Sequence, residues 1–150
     1  GKYYGDSFVY SEGAYYSRRG AALKVSFMTM LIGLIILSPL RKIARPLFRK
    51  PGQGPSQKAM DEGFFKSRFL VETASGQRAF MMSASGDPGY KMTSRMACES
   101  ALCLAVENLE SLPGGSSFGG VLTPSIALGN VLIERLRKIG VSFEEISTID

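Results

Sequence analysis

The sequence predicts an α+β fold, a β-hairpin or mixed sheet packed with two or more amphipathic helices. Three observations lead there. Residues Gly63 to Thr73 (GFFKSRFLVET) alternate in polarity, and after the turn-forming Ala74 to Gln77 (ASGQ) the chain returns through Arg78 to Ser83 (RAFMMS), which is the pattern of paired strands. Thr93 to Glu110 and the stretch from Thr123 to Gly140 instead space their apolar residues at helical period. Val141 to Ile146 (VSFEEI) then supplies a short terminal strand.

The totals agree with a folded chain. At 150 residues, a single domain able to bury a sizeable core is the default. A hydrophobic share of 45% against a charged share of 21% excludes intrinsic disorder. Net charge is +5, yet nine Lys or Arg and no acid lie between Arg18 and Lys58, so everything outside that block sums to −4. The basic character belongs to one segment. The first residue is Gly, which predicts a processed chain or a fragment.

Residues 1–24 are read as a Tyr/Gly-rich segment with Tyr3, Tyr4, Tyr10, Tyr15 and Tyr16. The tyrosines could stack on bases with Arg18 and Arg19 on phosphate, but a hairpin or an irregular surface segment is the favoured reading. Residues 25–50 form an apolar-basic helical segment. Val25 to Leu40 (VSFMTMLIGLIILSPL) carries no charge, and Arg41, Lys42, Arg45, Arg49 and Lys50 follow at once. A span needs about 20 apolar residues, reached here only by counting back through Gly20 with Lys24 snorkelling. The segment therefore reads as a spanning helix, an interfacial helix backed by basic residues, or a buried helix. In the lipid readings Phe27, Met30, Leu31, Leu34 and Ile35 meet acyl chains while Arg41, Lys42 and Arg45 meet anionic headgroups. So long an apolar run beside the charges favours lipid, and no nucleic-acid partner is expected.

Residues 51–150 are the α+β domain, opened by the Pro/Gly connection Lys50 to Ser56 (KPGQGPS). In the hairpin, Phe65, Ser67, Phe69 and Val71 share one face and Lys66, Arg68, Leu70 and Glu72 the other, as in a half-buried strand. The helix from Thr93 carries an apolar stripe of Ala97, Cys98, Ala101, Leu102, Ala105 and Leu109, expected to face the core. Thr123-Pro124 suits an N-cap followed by proline at the first helical position. That helix continues through Leu128, Val131, Leu132, Leu136 and Ile139, with Arg135, Arg137 and Lys138 in its last turn and Gly140 as its cap.

Chemistry is sparse. Histidine is missing, which removes the usual general base, the usual zinc ligand and any Ser-His or Cys-His nucleophile. No metal site is predicted. Cys98 and Cys103 lie five apart, on different helix faces, and are expected to be reduced, buried small hydrophobes of a cytosolic protein. None of the Gly-rich stretches matches G-x-G-x-x-G between a strand and a helix. Asp87, in Gly86-Asp87-Pro88-Gly89, is best placed to cap the following helix, with catalysis the lesser reading. Tyr90 and Lys91 are an adjacent pair of the kind that can polarise a carbonyl. Glu99 reads as a solvated position or a structural hydrogen-bond partner.

Taken together, GQGPS at Gly52 to Ser56, GFFKSRF at Gly63 to Phe69, GDPGY at Gly86 to Tyr90, MTSRMACESALCLA at Met92 to Ala105 and GGVLTPSIALGNVLIERLRKIGVSFEEI at Gly119 to Ile146 resemble the C-terminal portion of saccharopine dehydrogenase-like oxidoreductases. The resemblance covers roughly Pro39 to Ile149 and keeps the motif order. It implies the substrate-side domain of an NAD(P)-dependent oxidoreductase, similar to trans-acting enoyl reductases, without its Rossmann half. It also implies an apolar or lipid-linked substrate, and a cofactor not held by any motif here. A Rossmann domain or a homo-oligomer would be the protein partner. Asp87, Tyr90, Lys91 and Thr93 become weak catalytic candidates by their loop-to-helix position. In that family's frame, the apolar block rests on lipid without crossing it, so the protein would be peripheral on a membrane or cytoplasmic. The rival reading is a membrane-associated interaction module with no enzymatic activity.

Overall fold

A computed structural model describes residues 7–16, 18–48, 50, 52–117 and 119–147; Tyr3, Tyr4 and Arg49 lie outside the described residues. The chain divides into two compact units, Gly1–Gln53 and Gly54–Asp150.

In the first unit, residues 7–16 are exposed and have neither helix nor strand, the irregular of the two expected forms. Helix α1 runs Arg19–Leu37, starting six residues before Val25 because Ala21, Ala22 and Leu23 are strong helix formers. It stops at Ser38, whose backbone N–H donates to Ile35 and Leu34 carbonyls and whose hydroxyl donates to Ile35 O at 3.0 Å. Pro39 follows, unable to continue the ladder. The short helix α2, Arg41–Ala44, leads into a 3₁₀ turn at Arg45–Leu47 with Pro46 in its first turn. No residue of α1 is buried.

The second unit is α+β. Helix α3, Gln57–Glu62, is N-capped by Ser56, whose Oγ accepts from Ala59 N at 3.2 Å. Strands β1 (Phe64–Thr73) and β2 (Gly76–Ser85) form the expected hairpin, in register from Phe64↔Ser85 to Thr73↔Gly76 across the two-residue turn Ala74-Ser75. Helices α4 (Lys91–Val106) and α5 (Pro124–Lys138) follow. Strand β3, Ser142–Ile146, then pairs antiparallel with the other side of β2, giving the order β1-β2-β3. The core is Ala84, Met92, Cys103, Leu112, Leu128, Leu132, Leu136 and Val141, ringed by Phe65, Met82, Met96, Val131, Ile139 and Phe143.

Helix α5 follows its pattern: Leu128, Leu132 and Leu136 are buried at intervals of four, and Val131 and Ile139 flank them. Gly140 closes it, with Gly140 N donating to Arg137 O and Val141 N to Leu136 O, the pairing of a Schellman cap. One feature of α5 has no signal in the periodicity. Gly129 adopts φ 50°, ψ −134° and kinks the helix, and a Cβ there would lie 2.7 Å from Pro113 Cγ. Only glycine combines that backbone with that approach.

Four expectations are corrected. The stripe of α4 expected in the core is exposed: Leu102 is 41% accessible, and Ala97, Cys98, Ala101, Ala105 and Leu109 are exposed too. The buried face is Met92, Met96 and Cys103 instead, because α4 has two apolar faces and the leucines of α5 occupy one. Cys98 is thus exposed while Cys103 is buried. Strand β1 is not half-buried. Of its Phe65 face only Phe65 is partly covered, since the core lies over the Phe65–Ala84 end of the hairpin and stops short of Phe69 and Val71. Finally, Thr123 makes no side-chain cap; its hydroxyl pairs with Ser125 Oγ at 3.2 Å.

Candidate functional site

The motif residues 54–56, 63–69 and 86–90 are separate in sequence, but within the second unit they meet at one corner. The α3 turn brings them together. Gly86 N donates to Gly63 O at 2.6 Å and Asp87 N to Met60 O at 2.8 Å, which ties the loop before α4 to the end of α3. A Cβ on Gly63 would fall 2.7 Å from Asp87 N, so this seam closes only around a residue without a side chain. Gly54 lies beneath the Tyr90 ring, with Tyr90 Cε1 3.7 Å from its Cβ position.

Each candidate has a place in this corner. Asp87 Oδ2 accepts from Tyr90 N at 2.6 Å and Asp87 O accepts from Met92 N at 2.9 Å, so Asp87 shapes the turn that starts α4. Thr93 Oγ1 donates to Pro88 O and holds the same turn. Lys91 Nζ reaches Asp61 Oδ1 at 2.6 Å. Lys91, and after it Gln57, donates to the Asp61 carboxylate and holds it below its ordinary pKa. Tyr90 is 57% exposed. Among the described residues its hydroxyl has no hydrogen-bond partner, the one polar group of the four left uncommitted. The corner therefore brings the four candidates together but spends three of them on its own structure.

Sequence reading missed Asp61, whose role depends on a contact 30 positions away. It also missed the centre formed by Arg135. Its Nε lies 2.8 Å from Glu99 Oε2 and its Nη1 2.8 Å from Glu107 Oε1, clamping α5 to α4 and to the turn after it. Those hydrogen bonds, Glu107 first, raise the Arg135 pKa, and Glu99 is structural, as one of its two readings held. Burial pushes the Cys103 thiol up, which makes it a poor nucleophile. A shallow groove of about 470 Å³ lies between α4 and the end of α5, lined by Ser94, Arg95, Cys98, Glu99, Lys138 and Ile139. None of the four candidates lines it.

The residues do not fit a dinucleotide. A pyrophosphate cradle needs a strand, a Gly-rich turn and a helix whose N-terminus faces the phosphates. Among the described residues the strands are all antiparallel, and α4 is reached through the Asp87 turn, which places a carboxylate on the N–H of Tyr90 just before the helix. Among the described residues no group of three or more His, Cys, Asp or Glu could hold a metal ion.

No protein-family model matches the chain, and no solved structure matches it. Curated relatives do. A protein of Mycobacterium tuberculosis, provisionally named a trans-acting enoyl reductase, is 39% identical over 105 residues, 69% of this chain and 24% of its own length. A trans-acting enoyl reductase of Mycobacterium ulcerans is 33% identical over 147 residues, 92% of this chain and 34% of the relative. Another from Mycobacterium tuberculosis is 33% identical over 101 residues, 67% of this chain and 23% of its own length. The chain thus spans about a quarter to a third of the length of the relatives it matches. By sequence, it is related to a segment of proteins named trans-acting enoyl reductases.

Proposed function

We propose that the chain is the substrate-side part of an NAD(P)-dependent, saccharopine dehydrogenase-like oxidoreductase that reduces an apolar or lipid-linked enoyl substrate. The observation that carries the reading is the 39% identity over 105 residues to a protein provisionally named a trans-acting enoyl reductase. The cofactor is held by protein outside these 150 residues, in keeping with the misfit of this unit to a pyrophosphate. This chain's own share is to shape the pocket, exclude water and orient the acceptor. Tyr90 is the residue that meets the substrate, since Asp87, Lys91 and Thr93 are engaged in building the turn behind it. The exposed α4 stripe of Ala97, Ala101, Leu102 and Ala105 supports the same reading, because it suits a face that packs on the rest of a larger enzyme.

The test supplies the missing part. The full chain is titrated with NADPH, alone and mixed with the portion of the Mycobacterium tuberculosis relative that this chain does not cover, following nucleotide fluorescence and melting temperature. A response in the mixture, and none with the 150-residue chain alone, is expected. A response from the chain alone overturns the division of labour. Silence in both overturns the reductase reading and leaves the membrane-associated interaction module. In the responsive mixture, Tyr90→Phe should lower turnover of an enoyl thioester while leaving NADPH binding unchanged.

A further inference from the structure

We infer that α1 crosses a lipid bilayer, with the chain from Arg41 onward on the cytoplasmic side. Its length is the first reason. Nineteen helical residues rise about 28 Å at 1.5 Å each, close to the ~30 Å of hydrocarbon in a bilayer, and α1 is long and apolar enough to cross one.

The second reason separates spanning from lying on the surface. An interfacial helix needs a polar face to leave in water, and α1 has none. Leu34-Ile35-Ile36-Leu37 place aliphatic side chains in consecutive directions about 100° apart, which covers the whole circumference in little more than one turn, and Leu31-Ile32 add to that coverage. Phe27, Met28 and Met30 continue the same coverage toward the N-terminal half. The polar interruptions, Ser26 and Thr29, are small hydroxyls that can bond to the helix's own carbonyls. Not one α1 residue is buried by protein, and Leu37 is 86% exposed. Hydrocarbon can cover every side at once.

The ends supply the third reason and set the direction. At the C-terminal end, Ser38 N donates to the Leu34 and Ile35 carbonyls and its hydroxyl adds a second bond to Ile35 O, so these carbonyls are satisfied within the chain. Arg41, Lys42, Arg45, Arg49 and Lys50 follow within about 15 residues. The same distance before the helix, counted to its first residue, holds only Arg18 and Arg19. Lys24 lies just over one turn inside and reaches the N-terminal interface by extending its stem. Cationic residues collect on the cytoplasmic side of a span, and five against three, Lys24 included, assigns that side to the C-terminal end. Anionic headgroups there complement a block with no acid between Arg18 and Lys58.

The inference does not depend on the reductase reading, and its test uses no activity. The full chain is expressed in a bacterium and its membranes are washed with high salt and then alkaline carbonate. Retention through both washes and release only by detergent is expected; release by either wash, or recovery in the soluble fraction, overturns the span. The exposed native Cys98 reports direction. In intact spheroplasts a membrane-impermeant maleimide should label Ser11→Cys in a Cys98→Ser background and should not label native Cys98 until the membrane is opened. Labelling of Cys98 before opening overturns the orientation. Leu31→Arg with Leu34→Arg puts two charges in the middle of the span and should cut the carbonate-resistant fraction at least ten-fold, roughly. Arg41→Gln with Lys42→Gln and Arg45→Gln should keep carbonate resistance and expose Cys98 to the outside in part of the molecules. Unchanged retention in the first variant overturns the span, and unchanged Cys98 protection in the second overturns the charge rule as its cause.

Discussion

Helices α1 and α5 are of similar length and both contain many aliphatic residues, yet one has no buried residue and the other organises the core. In α5 the leucines recur every four residues and sit on one side, and Glu134, Arg135, Arg137 and Lys138 occupy the rest. That arrangement lets one side of the helix pack while Glu134, Arg137 and Lys138 stay in water and Arg135 pairs with Glu99 and Glu107. In α1 the aliphatic residues face all directions, and a single protein neighbour would cover one side and leave the others. Pattern, rather than apolar content, decides which helix a small domain can use. Helix α4 falls between them. It has two apolar faces, and the domain covers only that of Met92, Met96 and Cys103.

The comparison can be broken most directly with the two thiols. Cys98 should react with a maleimide in the native protein, while Cys103, fully buried and with its thiol pushed up by burial, should react only when the core opens. That makes Cys103 slower by at least about a thousand-fold. Equal rates would mean that the α4–α5 core is not the stable part of the molecule. With Cys98→Ser as background, Cys103 labelling in increasing denaturant then measures core stability for every variant. Leu128→Ala, at a position 2% exposed, should cost about 2–5 kcal/mol. Next, Gly129→Ala should cost about 1–3 kcal/mol, because it forces an alanine into φ 50° against Pro113. Leu34→Gln changes a residue of α1, a helix with no buried residue, and should leave Cys103 protection within about 0.5 kcal/mol of the parent. A larger loss there would tie α1 to the core and remove the contrast.

The smallest effect is on pH. Lys91 lowers the Asp61 pKa and Arg78 lowers that of Glu145. A carboxyl whose folded pKa is depressed contributes stability above its unfolded value, 3.8 for Asp61, and the contribution is lost as pH falls through the folded value. Melting temperature should therefore decline below about pH 4, and Asp61→Asn should make that decline shallower. Both pairs are solvent-exposed, so added salt should diminish the difference.

Much of this protein is legible along the chain. The alternation of Phe65, Ser67 and Phe69, a turn within Ala74 to Gln77, the four-residue spacing of Leu128, Leu132 and Leu136, and the cap at Gly140 are local signals, and each became the element it predicts, the turn narrowed to Ala74-Ser75. The motifs along the chain are likewise enough to relate it to a segment of proteins named trans-acting enoyl reductases. What failed to read were choices between equivalent local options. Whether α4 turns Leu102 or Cys103 inward depends on where α5 lies, and nothing within α4 records that. Asp61 meets Lys91, and Arg135 meets both Glu99 and Glu107, across separations of about 30 residues.

The candidate corner shows the same division. Its motif residues were visible, but whether they act on a substrate or hold the loop was not, since that turns on where Asp87 and Lys91 send their polar atoms. Sequence by itself determined the elements, because backbone preference and apolar period act over a few neighbouring residues. Tertiary structure decided which apolar face is covered and which polar groups remain free. Burial and ion pairing are properties of surfaces brought together from distant parts of the chain, and a residue's neighbours in sequence do not specify them.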